Sequence, residues 1–260
     1  MYNLATLANT NSLHDLIILL NTLQLFNSVL PDIYLYCDTY IGIINLNYKG
    51  NLYKKIALDE YDGLSRIQME KTKGKIFETQ WEDFMCEKMN LLEWAHESCD
   101  RVLLCDSDIC FIGPLPSIPE WCELGLSRHD IRVIDEKRFG IYNGGFVFSG
   151  NKMVPILWRK ATYTSRYFEQ AALEDLIKEF NNYYFPIQNN YGWWRLLQGK
   201  ESIEILKKHW SIKDNIIHIQ GNPLLSIHTH WKTDDKTIQY FNNFILEFIK
   251  NKNLKEILSA

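Results

Sequence analysis

Residues Arg101–Pro116 read RVLLCDSDICFIGPLP. Val102–Cys105 is a short apolar run bounded by polar residues, the pattern of a buried strand. It ends on Asp106 and Asp108, one residue apart, before the chain turns apolar again and reaches Gly113 and Pro114. In open α/β sheets ligands bind outside the carboxyl ends of the strands, so both carboxylates stand where a site would form.

Outward from this strand, helical and strand patterns alternate. Tyr2–Leu7 reads as a first strand, Leu13–Phe26 as a helix with Ser12 as its N-cap, and Ile33–Cys37 as a second strand ending at Asp38. Lys54–Leu58 reads as a third strand. Trp81–Glu97 is amphipathic, with Phe84, Met85, Met89, Leu92 and Trp94 among charges. The later half mixes strands (Glu123–Ser127, Gly145–Ser149, Tyr183–Pro186, Leu224–His228) with helices near Val154–Ala161, Glu169–Asn181 and Lys236–Lys250. This order predicts an α/β fold with a mostly parallel central sheet flanked by helices.

The chain of 260 residues is long enough for one large domain or two small ones, and 46% apolar and 13% aromatic residues imply a substantial core. A net charge of −4 without a Lys/Arg block argues against a nucleic-acid-binding stripe. A phosphate-bearing small ligand stays compatible, because a metal can supply positive charge. The longest early apolar run, Leu16–Leu20, is far short of a membrane span, and no basic stretch precedes it. Six cysteines without a CxxC pair read as free thiols, and no Asn-x-Ser/Thr sequon occurs. Cytoplasmic localisation is the expectation; a peripheral membrane association through the C-terminal segment stays open.

Side chains two apart on an extended chain point the same way. Two adjacent carboxylates repel unless a cation lies between them. Mn²⁺ and Mg²⁺ prefer oxygen ligands and complete their shells with substrate phosphates. Asp106 and Asp108 therefore read as a metal clamp for a diphosphate, although an ordinary acidic turn would present the same pair. In GIYNGGFVFSG (Gly140–Gly150), Asn143, Gly144 and Gly145 precede an apolar strand, where glycines let backbone approach a ligand. SIHTHW (Ser226–Trp231) ends another strand with His228 and His230. His228 directly follows the apolar run, which places it at the sheet edge; His230 is the alternative metal ligand. YFEQAALEDLI (Tyr167–Ile177) opens a helix with Glu169 and Gln170.

Taken in order, these stretches resemble the GT-A class of nucleotide-sugar-dependent glycosyltransferases. They are most similar to the family-8-like branch and to related bacterial and large-virus glycan-building enzymes. TLANTNSLHDLIILLNTL (Thr6–Leu23) looks like the family's first strand, nucleotide-contacting turn and first helix, with Leu7, Ala8 and Asn9 toward the donor. CDSDI (Cys105–Ile109) looks like its DxD motif, which brings Ser107 to the donor as well. YNGGFVFSG looks like its Asn-small-Gly strand, FEQAAL like its acidic-Gln helix start, and SIHTHW like its late metal-binding histidine. HTHWKTDD (His228–Asp235) replaces the usual His-x-x-Gly-x-x-Lys-Pro-Trp tail, with Lys232 the stand-in for the diphosphate-contacting lysine.

The resemblance implies a single GT-A (Rossmann-like) domain with a nucleotide-binding half of about 1–112 and an acceptor-binding half of about 113–260. It implies metal-dependent transfer of a sugar from a UDP-sugar, or secondly a GDP-sugar, to a glycan or other hydroxyl acceptor. Lys88, on the helix before the DxD strand, is then a basic residue near the donor; a solvated lysine is the plain alternative. Asn143 and Gln170 suit the sugar hydroxyls, and Glu169 a general base; in a retaining reaction Gln170 sits beneath the anomeric carbon instead. Tyr191, Trp193 and Trp194 in QNNYGWWR (Gln188–Arg195) suit acceptor stacking, or core or lid roles, and Ser127–Arg138 reads as an acceptor-facing loop. Competing readings are a haloacid-dehalogenase-like phosphatase and an inactive nucleotide-sugar- or glycan-binding module. That phosphatase family wants Thr or Val where this chain has Cys110.

Overall fold

The structure, a computed structural model, describes residues 2–197 and 201–260. Its strands are β1 (Asn3–Ala8), β2 (Ile33–Cys37), β3 (Leu52–Ile56), β4 (Val102–Cys105), β5 (Ile109–Phe111), β6 (Leu124–Arg128), β7 (Tyr142–Ser149), β8 (Asn182–Phe185), β9 (Tyr191–Gly192), β10 (Trp210–Lys213), β11 (Ile216–Ile219), β12 (Asn222–Pro223) and β13 (Ser226–His228). Its helices are α1 (Leu13–Phe26), α2 (Thr39–Ile43), α3 (Arg66–Lys71), α4 (Gln80–His96), α5 (Val133–Phe139), α6 (Met153–Thr162), α7 (Phe168–Leu176), α8 (Trp194–Leu197), α9 (Ile203–His209), α10 (Lys236–Phe248) and α11 (Lys252–Ser259).

The central seven-stranded sheet has the order β3-β2-β1-β4-β7-β6-β8. Its neighbours pair in parallel except at β7, which runs antiparallel to β4 and β6. The strands alternate between two cores, as the two-residue period requires. Ala5, Leu7, Val102 and Leu104 join Met89 and Leu92 of α4 and Trp158 of α6. Leu4, Ala8, Leu103 and Cys105 join Leu16, Leu19 and Leu23 of α1 on the opposite face. A third core gathers β9–β13 with α10 and α11, around Tyr191, Trp210, Ile227 and Phe241.

Because β7 is reversed, its beginning reaches the sheet edge that the end of β4 reaches: Cys105 pairs with Phe146. A second, three-stranded sheet, β5-β13-β9, starts directly after Asp108 and carries the late histidine strand beside it.

Several boundaries differ from the sequence pattern for local reasons. β3 lies two residues earlier than expected, because Ala57 and Leu58 both turn their N–H groups to the Cys37 carbonyl and leave the ladder. Ser12 does not cap α1 with its side chain; it belongs to a short 3₁₀ turn, and its hydroxyl bonds back to the Asn9 backbone. α7 stops at Leu176, where the expected helix ran to Asn181; the Asn182 amide holds the Ile177 carbonyl at 2.6 Å as β8 begins. Ser127–Arg138, read as a loop, contains the end of β6 and most of α5. All six cysteines are free thiols, and among the described residues no helix is long and apolar enough to cross a membrane.

Asp38 ties the ends of β1 and β2 together. Its buried carboxylate caps α2 through the Ile41 N–H (2.9 Å) and accepts from the Thr10 hydroxyl (2.6 Å). Asp38→Ala removes a cap and strands partners from two elements, so it should cost about 2 kcal/mol, measured by urea unfolding.

Candidate active site

The Asp106–Asp108 segment is a turn. Asp106 N–H donates to the Gly145 carbonyl (2.8 Å), and Ile109 N–H closes back on the Asp106 carbonyl (3.1 Å). This differs from the extended pair expected above; the turn, not a strand repeat, brings the two carboxylates together. One ligand atom from each of Asp106, Asp108 and His228 lies within 4.8 Å of the others. His228 Nε2 is 3.0 Å from Asp108 Oδ1 and 4.0 Å from Asp106 Oδ2.

His228 is oriented from behind. Its Nδ1 lies 2.8 Å from Asn190 Oδ1, and the Asn190 amide nitrogen donates to Ser127 Oγ and Asn143 Oδ1, each at 3.1 Å. The amide nitrogen being so engaged, Asn190 offers its oxygen to the ring. Nδ1 therefore carries a proton, and Nε2 is the ring atom turned to the carboxylates, the orientation of a histidine that can serve a metal. Two carboxylates and an imidazole suit Mn²⁺ and tolerate Mg²⁺.

Lys88, fully buried on α4, faces the same point from below. Its ammonium is 3.1 Å from Asp106 Oδ1, 3.2 Å from Glu169 Oε1 and 3.2 Å from the Gly144 carbonyl. Burial opposes its charge, but Asp106 and Glu169 together raise its pKa. Burial raises the Glu169 pKa, with Lys88 opposing and Asp106 adding. Burial also works to raise Asp108, yet His228 and His230 hold it well below the usual carboxylate range. Glycine is required at 145: a Cβ there would lie 2.2 Å from Asp106 Oδ2 and 2.7 Å from the His228 ring. Phe168, at the start of α7, has a φ of +42°, an uncommon left-handed conformation that immediately precedes Glu169.

Three cavities converge here. One of about 610 Å³ is lined by Leu7, Asn9, Ser107, Asp106 and Asp108, with Arg66 and Met69 opposite. Another of about 630 Å³ is lined by Asn143, Gln170, Tyr167, Phe139, Trp193 and Trp194. A small one of about 160 Å³ between them touches Lys88, Asp106, Asn143, Glu169, Gln170 and His228.

Not every sequence candidate faces these spaces. Ala8 is buried in the sheet. Tyr191 is wholly buried and packs against Trp210 and Phe241, so it presents no ring face to either cleft; Trp193 and Trp194 do line one. Lys232 points away, its ammonium 3.4 Å from the Ala260 carbonyl in a separate cavity with His14 and Gln239. His230 is half-exposed, lies outside the triad and contacts Asp108 Oδ2 at 3.3 Å.

No protein-family model and no curated protein sequence matches the chain. Solved structures do resemble it. Galactosyltransferase LgtC, in complex with donor and acceptor sugar analogs, aligns with a TM-score of 0.59 at 12% identity, over 99% of this chain and 96% of that one. The fold is the GT-A fold. Mouse xyloside xylosyltransferase 1 aligns with a TM-score of 0.52 at 10% identity, over 91% and 98%. Glycosyltransferase GlyE of Streptococcus pneumoniae aligns at 0.60 and 14% identity; the match covers 99% of this chain and 62% of GlyE. In this GT-A chain the end of β4, the start of β7, the start of α7 and the end of β13 meet at one edge.

Residues missed in sequence include Asn190, Asp15, Arg66 and His129. Arg66 lines all three cavities; it lies 4.8 Å over the Trp81 ring and pairs with Glu70 at 2.7 Å. His129 is buried behind Asn143, with Nδ1 donating to the Gly140 carbonyl (3.2 Å) and Nε2 accepting from the Asn143 amide (3.0 Å). Burial pushes its pKa down to about 4, so it is neutral when folded. The unfolded chain binds a proton on this ring near pH 6.5 and the folded chain only near 4, so stability is full above 6.5 and falls as pH drops through that window. Relative to His129→Gln, the native chain should lose about 3 kcal/mol between pH 7 and pH 4, read from urea unfolding at each pH.

Proposed function

We propose that this chain is a metal-dependent glycosyltransferase. It moves a sugar from a nucleoside diphosphate sugar, UDP-linked first and GDP-linked second, to a hydroxyl of a glycan or other acceptor. The observation that carries this reading is the Asp106–Asp108–His228 triad where two large cavities meet across a sugar-sized one. The GT-A fold, shared with LgtC bound to donor and acceptor sugar analogs, supports it.

Asp106, Asp108 and His228 would hold Mn²⁺ or Mg²⁺. Such an ion supplies Lewis-acid neutralisation of the departing diphosphate. The cavity at Leu7, Asn9 and Ser107 receives the nucleotide half of the donor. Asn143 and Gln170 orient the sugar hydroxyls, with Gly144 and Gly145 letting the sugar approach the β7 backbone. In the reaction the bond from the anomeric carbon to the diphosphate oxygen breaks, a bond to the acceptor oxygen forms, and the acceptor hydroxyl loses its proton. Glu169 is the general base of an inverting course; a retaining course uses Gln170 beneath the anomeric carbon. The anomeric configuration of the product by NMR separates them. Lys88 keeps Asp106 and Glu169 at fixed separation through this charge movement. Trp193 and Trp194 offer faces to an acceptor ring. With Lys232 turned away, Arg66 brings a guanidinium to the donor cavity.

The test is a thermal-shift panel of UDP, GDP and their sugars with and without Mn²⁺. A ligand at 100 times its Kd stabilises the native state by about 2.7 kcal/mol. UDP should raise the melting temperature only with metal present, and Asp108→Asn should remove that shift and lower turnover at least about 100-fold while the apo protein stays folded. Equal shifts with and without metal, or near-native turnover by the variant, would refute the reading.

A further inference from the structure

The Asp108 carboxylate has an imidazole on each oxygen. Oδ1 faces His228, as described; Oδ2 faces His230 Nε2 at 3.3 Å. His230 is itself held from behind: its Nδ1 lies 2.9 Å from Asp15 Oδ2, and Asp15 Oδ1 accepts the Trp231 N–H at 3.3 Å. Asp15 is 7% exposed in the first turn of α1, where unpaired backbone N–H groups favour a negative charge.

The segment carrying His230 is clamped independently. Buried Asn242 on α10 donates to the His230 carbonyl at 2.7 Å and accepts from the Thr229 hydroxyl at 2.7 Å. Thr229 N–H donates to the Asp108 carbonyl at 2.9 Å. The backbone of His230 is thus set by α10 and the Asp108 turn, leaving Asp15 to set the ring.

We infer that Asp15 and His230 form a positioning arm that orients Asp108 for a divalent ion, with Asp15 acting only through His230. This inference rests on the metal reading of the triad. His230 is not a ligand in it: its Nε2 bonds one carboxylate oxygen and leaves the other to the ion and to the His228 side. Without the arm, Asp108 is free to rotate its second oxygen into the site. Groups that orient a metal ligand from outside typically change metal affinity 10–100-fold when removed.

The experiment measures Mn²⁺ affinity of the full chain by calorimetry, without nucleotide. Asp15→Ala and His230→Ala should each weaken binding about 10–100-fold. The double variant should bind no more weakly than His230→Ala alone, because the two act in series. Asp15→Asn, which keeps an acceptor for His230 Nδ1, should recover most of the loss. His230 is half-exposed, so its truncation leaves a folded chain even if Asp15→Ala does not fold. Native-like Mn²⁺ affinity in His230→Ala, or losses that multiply in the double variant, would overturn the arm while leaving the triad standing. A wild-type chain that binds no Mn²⁺ would overturn both.

Discussion

The Lys88 ammonium is the charge on which the site depends. Placing an amine in the interior is costly unless paired and hydrogen-bonded. Here the compensating oxygens come from three separate elements: Asp106 after β4, the Gly144 carbonyl on β7, and Glu169 on α7. The shared cation joins α7 to the paired ends of β4 and β7 at one point. Removing either carboxylate would leave the amine with one carboxylate and one carbonyl, so the triad is coupled to the core beneath it. The Asp106–Asp108 turn is thereby anchored to the sheet and α4 from below, and sites held on rigid elements keep their geometry within small tolerances.

A second constraint comes from the side of β13. His228, Asn190, Asn143 and His129 form a chain of side-chain contacts that runs from the carboxylates to the Gly140 carbonyl. Each member has one choice of donor and acceptor, because the next member fixes it. A network whose members leave each other no freedom fixes the Nδ1 proton of His228 and the direction of its ring.

Much of this was legible in the sequence. β4 stood out as a short apolar run ending in carboxylates, its aspartates weighed against an ordinary acidic turn, and Leu13–Phe26 matched its helix residue for residue. Asn143, Glu169 and Gln170 were found at the starts of a strand and a helix, and Lys88 one helix before β4. Asn190 and Asp15 were not found, since their meaning lies in partners 38 and 215 positions away. No periodicity reports such a contact. Lys232 was misplaced because the chain turns sharply after His230, where Asp15 and Asn242 hold it. Tyr191 stood in an aromatic run that suggested a platform, but β9 pairs with β13 and commits that ring to Trp210 and Phe241.

The small sheet β5-β13-β9 has a consequence for how the chain is made. β5 is made directly after the two aspartates, while its partner strand β13, which also pairs with β9, comes much later. Until β13 is synthesised, β5 offers an unpaired edge of Ile109, Cys110 and Phe111, the kind of apolar strand edge that pairs with other chains. Pairing of such distant segments is slow. The nascent protein therefore carries its two carboxylates beside an adhesive edge from the end of β5 until β13 is made, and the arrival of the histidine strand both closes that edge and completes the triad in one step.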